Sequence, residues 1–171
     1  MLLLFIACAS TKFKVIWKDE TYQGHPAKIL VINAFPNPVN RRLVEDEFVK
    51  ALKDHGADAV VSYTVMPKPL TPDPIVSNQK AIAAQAKKVN ADTVLINKAI
   101  GTRMAESGGH GNIYYEDLYI LTQTDVYDMK SNRLVLSASA ETWVRQGESY
   151  TKQIHLYVQD LVNKLSQQGL F

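Results

Sequence analysis

Short apolar runs alternate with helix-like patterns through residues 27–100, and this alternation organises the chain. Residues 29–32 are Ile-Leu-Val-Ile, which is typical of a strand buried on both faces. An amphipathic pattern over 39–55 follows, with Asn37 placed to cap a helix and Gly56 placed to stop it. The same alternation predicts a strand over 58–65, a helix over 75–89 and a strand over 92–100. Together they predict a βαβαβ unit with three parallel strands.

The pattern changes in the second half of the chain. Residues 114–127 alternate along a long predicted strand, residues 128–133 are a mainly polar turn, and residues 134–143 alternate again, so we expect an antiparallel hairpin. Apolar residues then recur at helical spacing, which predicts a terminal helix capped by Ser149 or Thr151 and stopped by Gly169. Its apolar stripe consists of Ile154, Tyr157, Val158, Leu161, Val162 and Leu165.

These elements predict an α/β fold with a three-layer α/β/α arrangement around a mixed five-stranded sheet. The hairpin extends one edge of the parallel strands, and the terminal helix closes the fold. Residues 27–171 form a single α/β domain in this interpretation. Residues 1–26 are a remnant signal segment and a lead-in, of which 11–26 form either a short edge strand or an ordered segment packed on the sheet.

Charge and cysteine content narrow the function classes. The net charge is +2, which excludes the basic excess of a nucleic-acid partner. No apolar run reaches the length of about 18 residues that a membrane-spanning helix needs. Cys8 is the single cysteine of the chain, so the chain cannot form an internal disulfide.

The residues around Cys8 resemble the lipobox of bacterial lipoproteins. An apolar run ends in Ala7-Cys8, and the sequence turns polar at Ser10. Phe5-Ile6 stand where the family has leucine and a small residue, and no basic residue precedes the run. Either the chain starts upstream of Met1, or Cys8 belongs to a plain N-terminal strand. The resemblance implies lipid attachment at Cys8, a membrane contact through that anchor, and an outer-membrane lipoprotein facing the periplasm.

The element order also resembles the small α/β domains of envelope lipoproteins, namely the TolB amino-terminal domain and the penicillin-binding-protein activator lipoproteins. The resemblance rests on three features besides the terminal helix. Two helix-to-strand joints repeat Ala-Asp before the strand, and the hairpin carries Val-Tyr-Asp at 126–128 and Arg-Leu-Val at 133–135. It implies a non-enzymatic domain that contacts an envelope protein partner of unknown identity.

Residues 101–112 contain four glycines and one large apolar residue, Met104, and we expect a mobile loop there. A phosphate-binding loop would need a Lys-Ser/Thr pair and a following helix, and neither is present. The histidines show no metal-ligand spacing, although His110 in this segment is the one with a plausible ligand role. The sequence therefore predicts no catalytic residue, no metal and no cofactor.

A candidate binding edge lies where the parallel strands end. Ligands of open parallel sheets sit beyond the carboxyl ends of the strands, and polar or cationic residues follow each predicted strand. The candidate residues are Asn33, Arg41, Arg42, Ser62, Tyr63, Lys98, Arg103 and His110. The acidic run Glu45-Asp46-Glu47 is interpreted as a solvated face of the first helix, favoured there by the helix dipole.

Two functions are consistent with these patterns. The leading hypothesis is a non-enzymatic envelope lipoprotein whose periplasmic or surface α/β domain makes protein–protein contacts. The alternative is a protein, a hydrolase among them, that binds a small molecule or anion at the carboxyl-end edge. A deep pocket lined by arginine, lysine and asparagine would favour the alternative, whereas a shallow edge with exposed tyrosine and leucine would favour the first.

Overall fold

A computed structural model describes residues 10–68, 78–110 and 113–171. The chain forms six strands and three helices within those residues. In order they are β1 (Thr11–Lys18), β2 (Lys28–Asn33), α1 (Pro38–Asp54), β3 (Asp58–Val61), α2 (Gln79–Lys88), β4 (Thr93–His110), β5 (Ile113–Asp128), β6 (Arg133–Val144) and α3 (Tyr150–Gln167). A short 3₁₀ turn, Ser62–Thr64, follows β3.

The strands form one mixed sheet in the order β1-β6-β5-β4-β2-β3. The pairs β2–β3 and β2–β4 are parallel, and the remaining pairs are antiparallel. The predicted parallel unit and hairpin are therefore confirmed. The predicted strand number is wrong by one, because residues 11–18 form edge strand β1 on the far side of the hairpin.

Local sequence explains where the helices begin and end. The Asn37 side chain accepts bonds from the amides of Val39 and Asn40 at 2.9 and 3.1 Å, with Pro38 at the first helical position. Ser149 caps α3 by accepting a bond from the Lys152 amide. Gly56 and Gly169 follow α1 and α3 with φ of +86° and +67°, the left-handed conformation that ends helices. The predicted start of α2 falls on residues outside the described range.

Alternate side chains of β2 enter two separate apolar clusters. Ile29 and Val31 pack with residues of α1 and α3, while Leu30 and Ile32 pack with residues of α2. All four are fully buried, as expected of a strand covered on both faces. The α3 stripe named from the sequence is buried at every position.

The prediction of a loop over 101–112 is wrong for most of that segment. β4 continues to His110 and pairs with β5 along its length, with register shifts between Ala99 and Gly101 and between Glu106 and Gly109. Pairing with β5 overrides the low strand propensity of glycine, because strand stability depends mainly on cross-strand neighbours. Each shift accommodates extra residues without ending the ladder.

None of the helices within the described ranges combines the length and the apolar character needed to cross a bilayer.

Candidate functional site

A buried carboxylate lies at the carboxyl ends of β2 and β3. Glu45 of α1 accepts bonds at Oε1 from the Asn33 amide (3.0 Å), Arg41 Nε (2.9 Å) and Ser62 Oγ (2.7 Å). Its Oε2 accepts bonds from the amides of Ser62 (2.7 Å) and Tyr63 (3.1 Å). We call Asn33, Arg41, Glu45, Ser62 and Tyr63 the Glu45 cluster. The carboxylate holds the end of β2 and the turn after β3 against the first turns of α1.

Arg41 and Glu45 are both closed to solvent. Arg41 is 1% exposed and Glu45 is 0% exposed, and the second guanidinium contact of Arg41 is Ser62 Oγ at 2.7 Å. The interpretation of Glu45 as part of a solvated face is therefore wrong. Burial without a partner would be costly for either charge, and the ion pair with its additional donors compensates it. Glu45 has no oxygen left to act as a base on an outside substrate.

A second set of polar side chains links this cluster to α3. Asn97 of β4 donates to Asn33 Oδ1 at 2.8 Å. Its own Oδ1 accepts bonds from Thr124 (2.9 Å) and from the Tyr157 hydroxyl (2.6 Å). Asn33, Asn97 and Thr124 are at most 1% exposed. A continuous series of hydrogen bonds thus runs across the sheet from α1 to α3.

An apolar groove opens beside Tyr157 at the same edge of the sheet. It holds a cavity of about 80 Å³ between α3, the strands β5 and β6, and the segment that follows β2. We call it the α3 groove. Its lining residues are Phe35, Val44, Asn97, Ile120, Thr122, Thr142, Val144, Tyr150, Gln153, Ile154 and Tyr157.

The α3 groove has the chemistry of a contact for an apolar group. Its titratable lining residues are Tyr150 and Tyr157. Burial raises the pKa of the Tyr157 hydroxyl, so this group stays protonated and donates to Asn97. Burial likewise raises the pKa of Tyr150. Among the described residues, no carboxylate, imidazole or thiol lines the groove. These residues therefore supply no general acid or base near neutral pH.

The remaining candidate residues do not converge on one site. Tyr63 donates to Asp46 at 2.8 Å, and Arg42 lies over the Tyr63 ring at 5.2 Å. The Asp46 bond is the main cause that raises the pKa of Tyr63. Exposed Arg42 and Asp46, with the half-buried side chain of Tyr63, form a rim beside the buried part of the Glu45 cluster. Of the eight predicted edge residues, the structure brings together Asn33, Arg41, Ser62 and Tyr63, with Arg42 beside them.

Lys98 and Arg103 lie on the opposite face of the sheet from α3. Lys98 pairs with Asp125 at 3.8 Å, and Arg103 pairs with Glu141 and stacks on Tyr119 at 4.4 Å. Lys14 also contacts Glu141, at 2.6 Å. That contact, with the further help of Arg103, holds the pKa of Glu141 below its usual range. Both candidate cations are thus engaged away from the groove.

Two predicted positions lie beyond what the structure describes. Cys8 precedes the first described residue, and of His110 only the backbone position at the end of β4 is described. Across the described ranges, no group of three histidine, cysteine, aspartate or glutamate residues has the geometry of a metal site.

Sequence reasoning missed the groove residues and the role of Glu45. Periodicity places Ile120 and Thr122 on one face of β5 and Tyr157 on the apolar face of α3. It does not show that a groove opens between these two faces at the edge of the sheet. One signal for Glu45 was available. Val44 and Phe48 belong to the apolar stripe of α1, and Glu45 follows Val44 directly. Arg41 lies one turn before Glu45, so both charged residues border that stripe.

Comparisons with known proteins locate the fold. A scan against protein-family models finds no match, and no curated protein matches the chain. The chain is similar to PelC from Paraburkholderia phytofirmans, solved as a dodecamer, with a TM-score of 0.56 at 13% identity over 91% of this chain and 96% of that one. It is also similar to lipoprotein GNA1162 from Neisseria meningitidis, with a TM-score of 0.52 at 14% identity over 83% of this chain and 99% of that one.

These likenesses cover most of both chains, and at such low identity they show the fold alone. A bacterial lipoprotein thus shares the fold of this chain. The predicted likeness to the TolB amino-terminal domain stays a prediction.

Proposed function

We propose that this chain is a non-enzymatic envelope lipoprotein whose α/β domain binds another protein through the α3 groove. The observation that carries the proposal is the groove itself. A cavity of about 80 Å³ is smaller than the roughly 300–1,000 Å³ of small-molecule sites. It is suited to one apolar side chain, and a buried anchor of this kind supplies much of the energy of protein interfaces.

The alternative function receives less support from the same geometry. A site for an anion or a polar small molecule needs accessible cations or donors. Arg41 is buried against Glu45, and Lys98 and Arg103 pair with acids on the other face. Of the predicted cations, exposed Arg42 remains at this edge, and it lies over the Tyr63 ring.

Anchoring at Cys8 in the outer membrane, facing the periplasm, is the second element of the proposal. The lipobox-like sequence and the shared fold of lipoprotein GNA1162 support it. The two apolar clusters on alternate side chains of β2 support the three-layer α/β/α arrangement of such a domain. Labelled palmitate is expected to enter the wild-type protein and not Cys8→Ala. Equal labelling of both proteins would contradict lipid attachment at Cys8.

The groove is tested by photo-crosslinking in the native host. A photoreactive amino acid at Tyr150, on the groove rim, is expected to give a discrete product that the same residue at Lys87, on α2, does not give. Ile120→Glu should abolish that product, because it places a charge in the apolar lining, whereas Ile120→Leu should retain it. A product that survives Ile120→Glu would contradict binding through the groove.

A further inference from the structure

β4 has one flank that no strand of the described residues covers. β2 pairs with β4 from Ile29 opposite Thr93 to Asn33 opposite Asn97, and the Ala34 amide adds a bond to the Asn97 carbonyl at 2.8 Å. β2 then ends, while β4 continues to His110 in its pairing with β5. We call residues 99–104 on the β2 side of β4 the open flank.

The backbone geometry identifies the groups that face the open flank. Successive residues of a strand direct their amide and carbonyl groups to opposite sides, and the Asn97 carbonyl points toward β2. Ala99 therefore faces the same side. The register shift between Ala99 and Gly101 adds one residue, Ile100, so that beyond it Thr102 and Met104 face the flank. Gly101 and Arg103 instead face β5.

The open flank runs beside the α3 groove. Ala99 pairs with Thr122 and Thr102 pairs with Ile120, and both β5 residues line the groove. Phe35, directly after β2, lines the same groove on the β2 side of the sheet. A strand that continued the line of β2 along β4 would thus direct alternate side chains toward the groove.

We propose that the open flank binds an extended segment of the partner protein as an added strand, with apolar side chains on the face toward the α3 groove. The inference rests on the proposed function and specifies the form of the partner. The ladder groups of a strand edge are complementary to another extended backbone. Main-chain bonds supply affinity in this mode, and the groove supplies selection for an apolar side chain.

Pairing with the same flank of a second copy fits the site less well than an extended segment of a different protein does. Flank-to-flank pairing would put the Ile100 bulge into both strands of one ladder. In that pairing the second copy would direct Ala99, Thr102 and Met104 to the groove face, and the two nearest the groove, Ala99 and Thr102, are too small or too polar to fill an apolar cavity. The occupant that the geometry favours therefore carries leucine-like side chains at alternate positions.

The test uses a fluorescent peptide of about eight residues, an ordinary strand length, that alternates leucine with threonine between lysine ends. Wild-type protein is expected to bind this peptide saturably in fluorescence anisotropy. A matched peptide with every second amide N-methylated should bind at least about tenfold more weakly, because it lacks the donors for the ladder. Equal binding of both peptides would overturn the proposal.

Two variants of one position separate the backbone contact from the side chain. Thr102→Pro removes an amide that faces the open flank and is expected to weaken peptide binding at least about tenfold, with little change in melting because edge positions tolerate proline. Thr102→Val keeps the amide and should bind like wild type. Undiminished binding by Thr102→Pro would contradict strand addition.

Hydrogen exchange gives a readout that does not depend on affinity. In the free protein the amides of Thr102 and Met104 should exchange fast while Arg103, paired with β5, is protected; the peptide should protect all three. If the peptide fails to bind while the Tyr150 crosslink persists in the host, the added strand is excluded and binding through the groove stands. Self-association that Thr102→Pro abolishes would assign the flank to a second copy and overturn the proposal.

Discussion

The Glu45 cluster and the α3 groove lie at the same edge of the sheet and have opposite chemistry. The cluster is built on a buried ion pair, and both oxygens of its carboxylate accept hydrogen bonds, whereas the groove is open and its lining is mainly apolar. A hydrogen bond between Asn97, which lines the groove, and Asn33, which belongs to the cluster, connects the two regions. The comparison shows that polar residues at strand ends do not by themselves make a binding site. Here they fix the strand ends, and the accessible surface beside them is apolar.

Removal of the Glu45 carboxylate is expected to have the largest effect. Glu45→Leu leaves Arg41 charged and buried, and it deprives the amides of Asn33, Ser62 and Tyr63 of their acceptor. Breaking a buried ion pair costs about 3–5 kcal/mol, and total stability is about 5–15 kcal/mol. Urea unfolding should show a loss of at least about 3 kcal/mol. Asp46→Asn, one residue away on the exposed rim, should change stability by less than about 0.5 kcal/mol.

Removal of the cation should cost less than removal of the anion. Arg41→Met leaves Glu45 with four hydrogen-bond donors, from the backbone of three residues and the Ser62 hydroxyl. We therefore expect a loss of about 2–3 kcal/mol, at or below the lower end of the range for broken buried pairs. The double variant Arg41→Met with Glu45→Leu should stay less stable than Arg41→Met alone, because three amides remain without an acceptor. Equal stability of the two would show that the backbone bonds of Glu45 contribute little.

Tyr157→Phe sharpens the comparison at the point where the two regions meet. It removes the hydroxyl that donates to Asn97 Oδ1, and Thr124 still donates to the same oxygen. We expect a loss of about 1 kcal/mol in unfolding free energy, typical of one hydrogen bond. The Tyr150 crosslink should persist, since the ring still lines the groove. A loss as large as that of Glu45→Leu would show that the whole hydrogen-bond series acts as one unit.

The smallest effect on stability is expected at Glu141, on the face of the sheet opposite α3. Glu141 pairs there with the exposed cations Lys14 and Arg103. Its pKa is lowered, chiefly by the Lys14 contact, so its contribution to stability is present above its unfolded pKa and is lost as pH falls through its folded pKa. The stability difference between wild type and Glu141→Gln should therefore narrow as pH falls below about 4.5, the value for an unperturbed glutamate. The difference should also shrink with added salt, because the two cations are exposed and salt screens exposed charges. A difference independent of pH would contradict the ionic origin.

Periodicity predicted most of the elements, because residues close together in the chain determine which face of a helix or strand is apolar. The α3 stripe and the alternation of β5 are examples. The end of β4 was not predictable in this way, since its glycine-rich residues are strand only because β5 pairs with them over a register with two shifts. The site depended even more on distant contacts. Glu45 is buried only because β2 and the turn after β3 pack against α1. No local sequence pattern predicts that packing.

The pairing of β1 with β6 has a consequence for the order of assembly. Thr11 and Thr142, which share a hydrogen bond, are separated by 131 positions. At a synthesis rate of about 5–20 residues per second, the partner strand emerges roughly 10 s after β1. During that interval residues 11–18 lack the strand that they pair with in the sheet, and the lysines at 12, 14 and 18 oppose pairing with other chains. The first described strand of the chain therefore waits for the last strand before it can join the sheet.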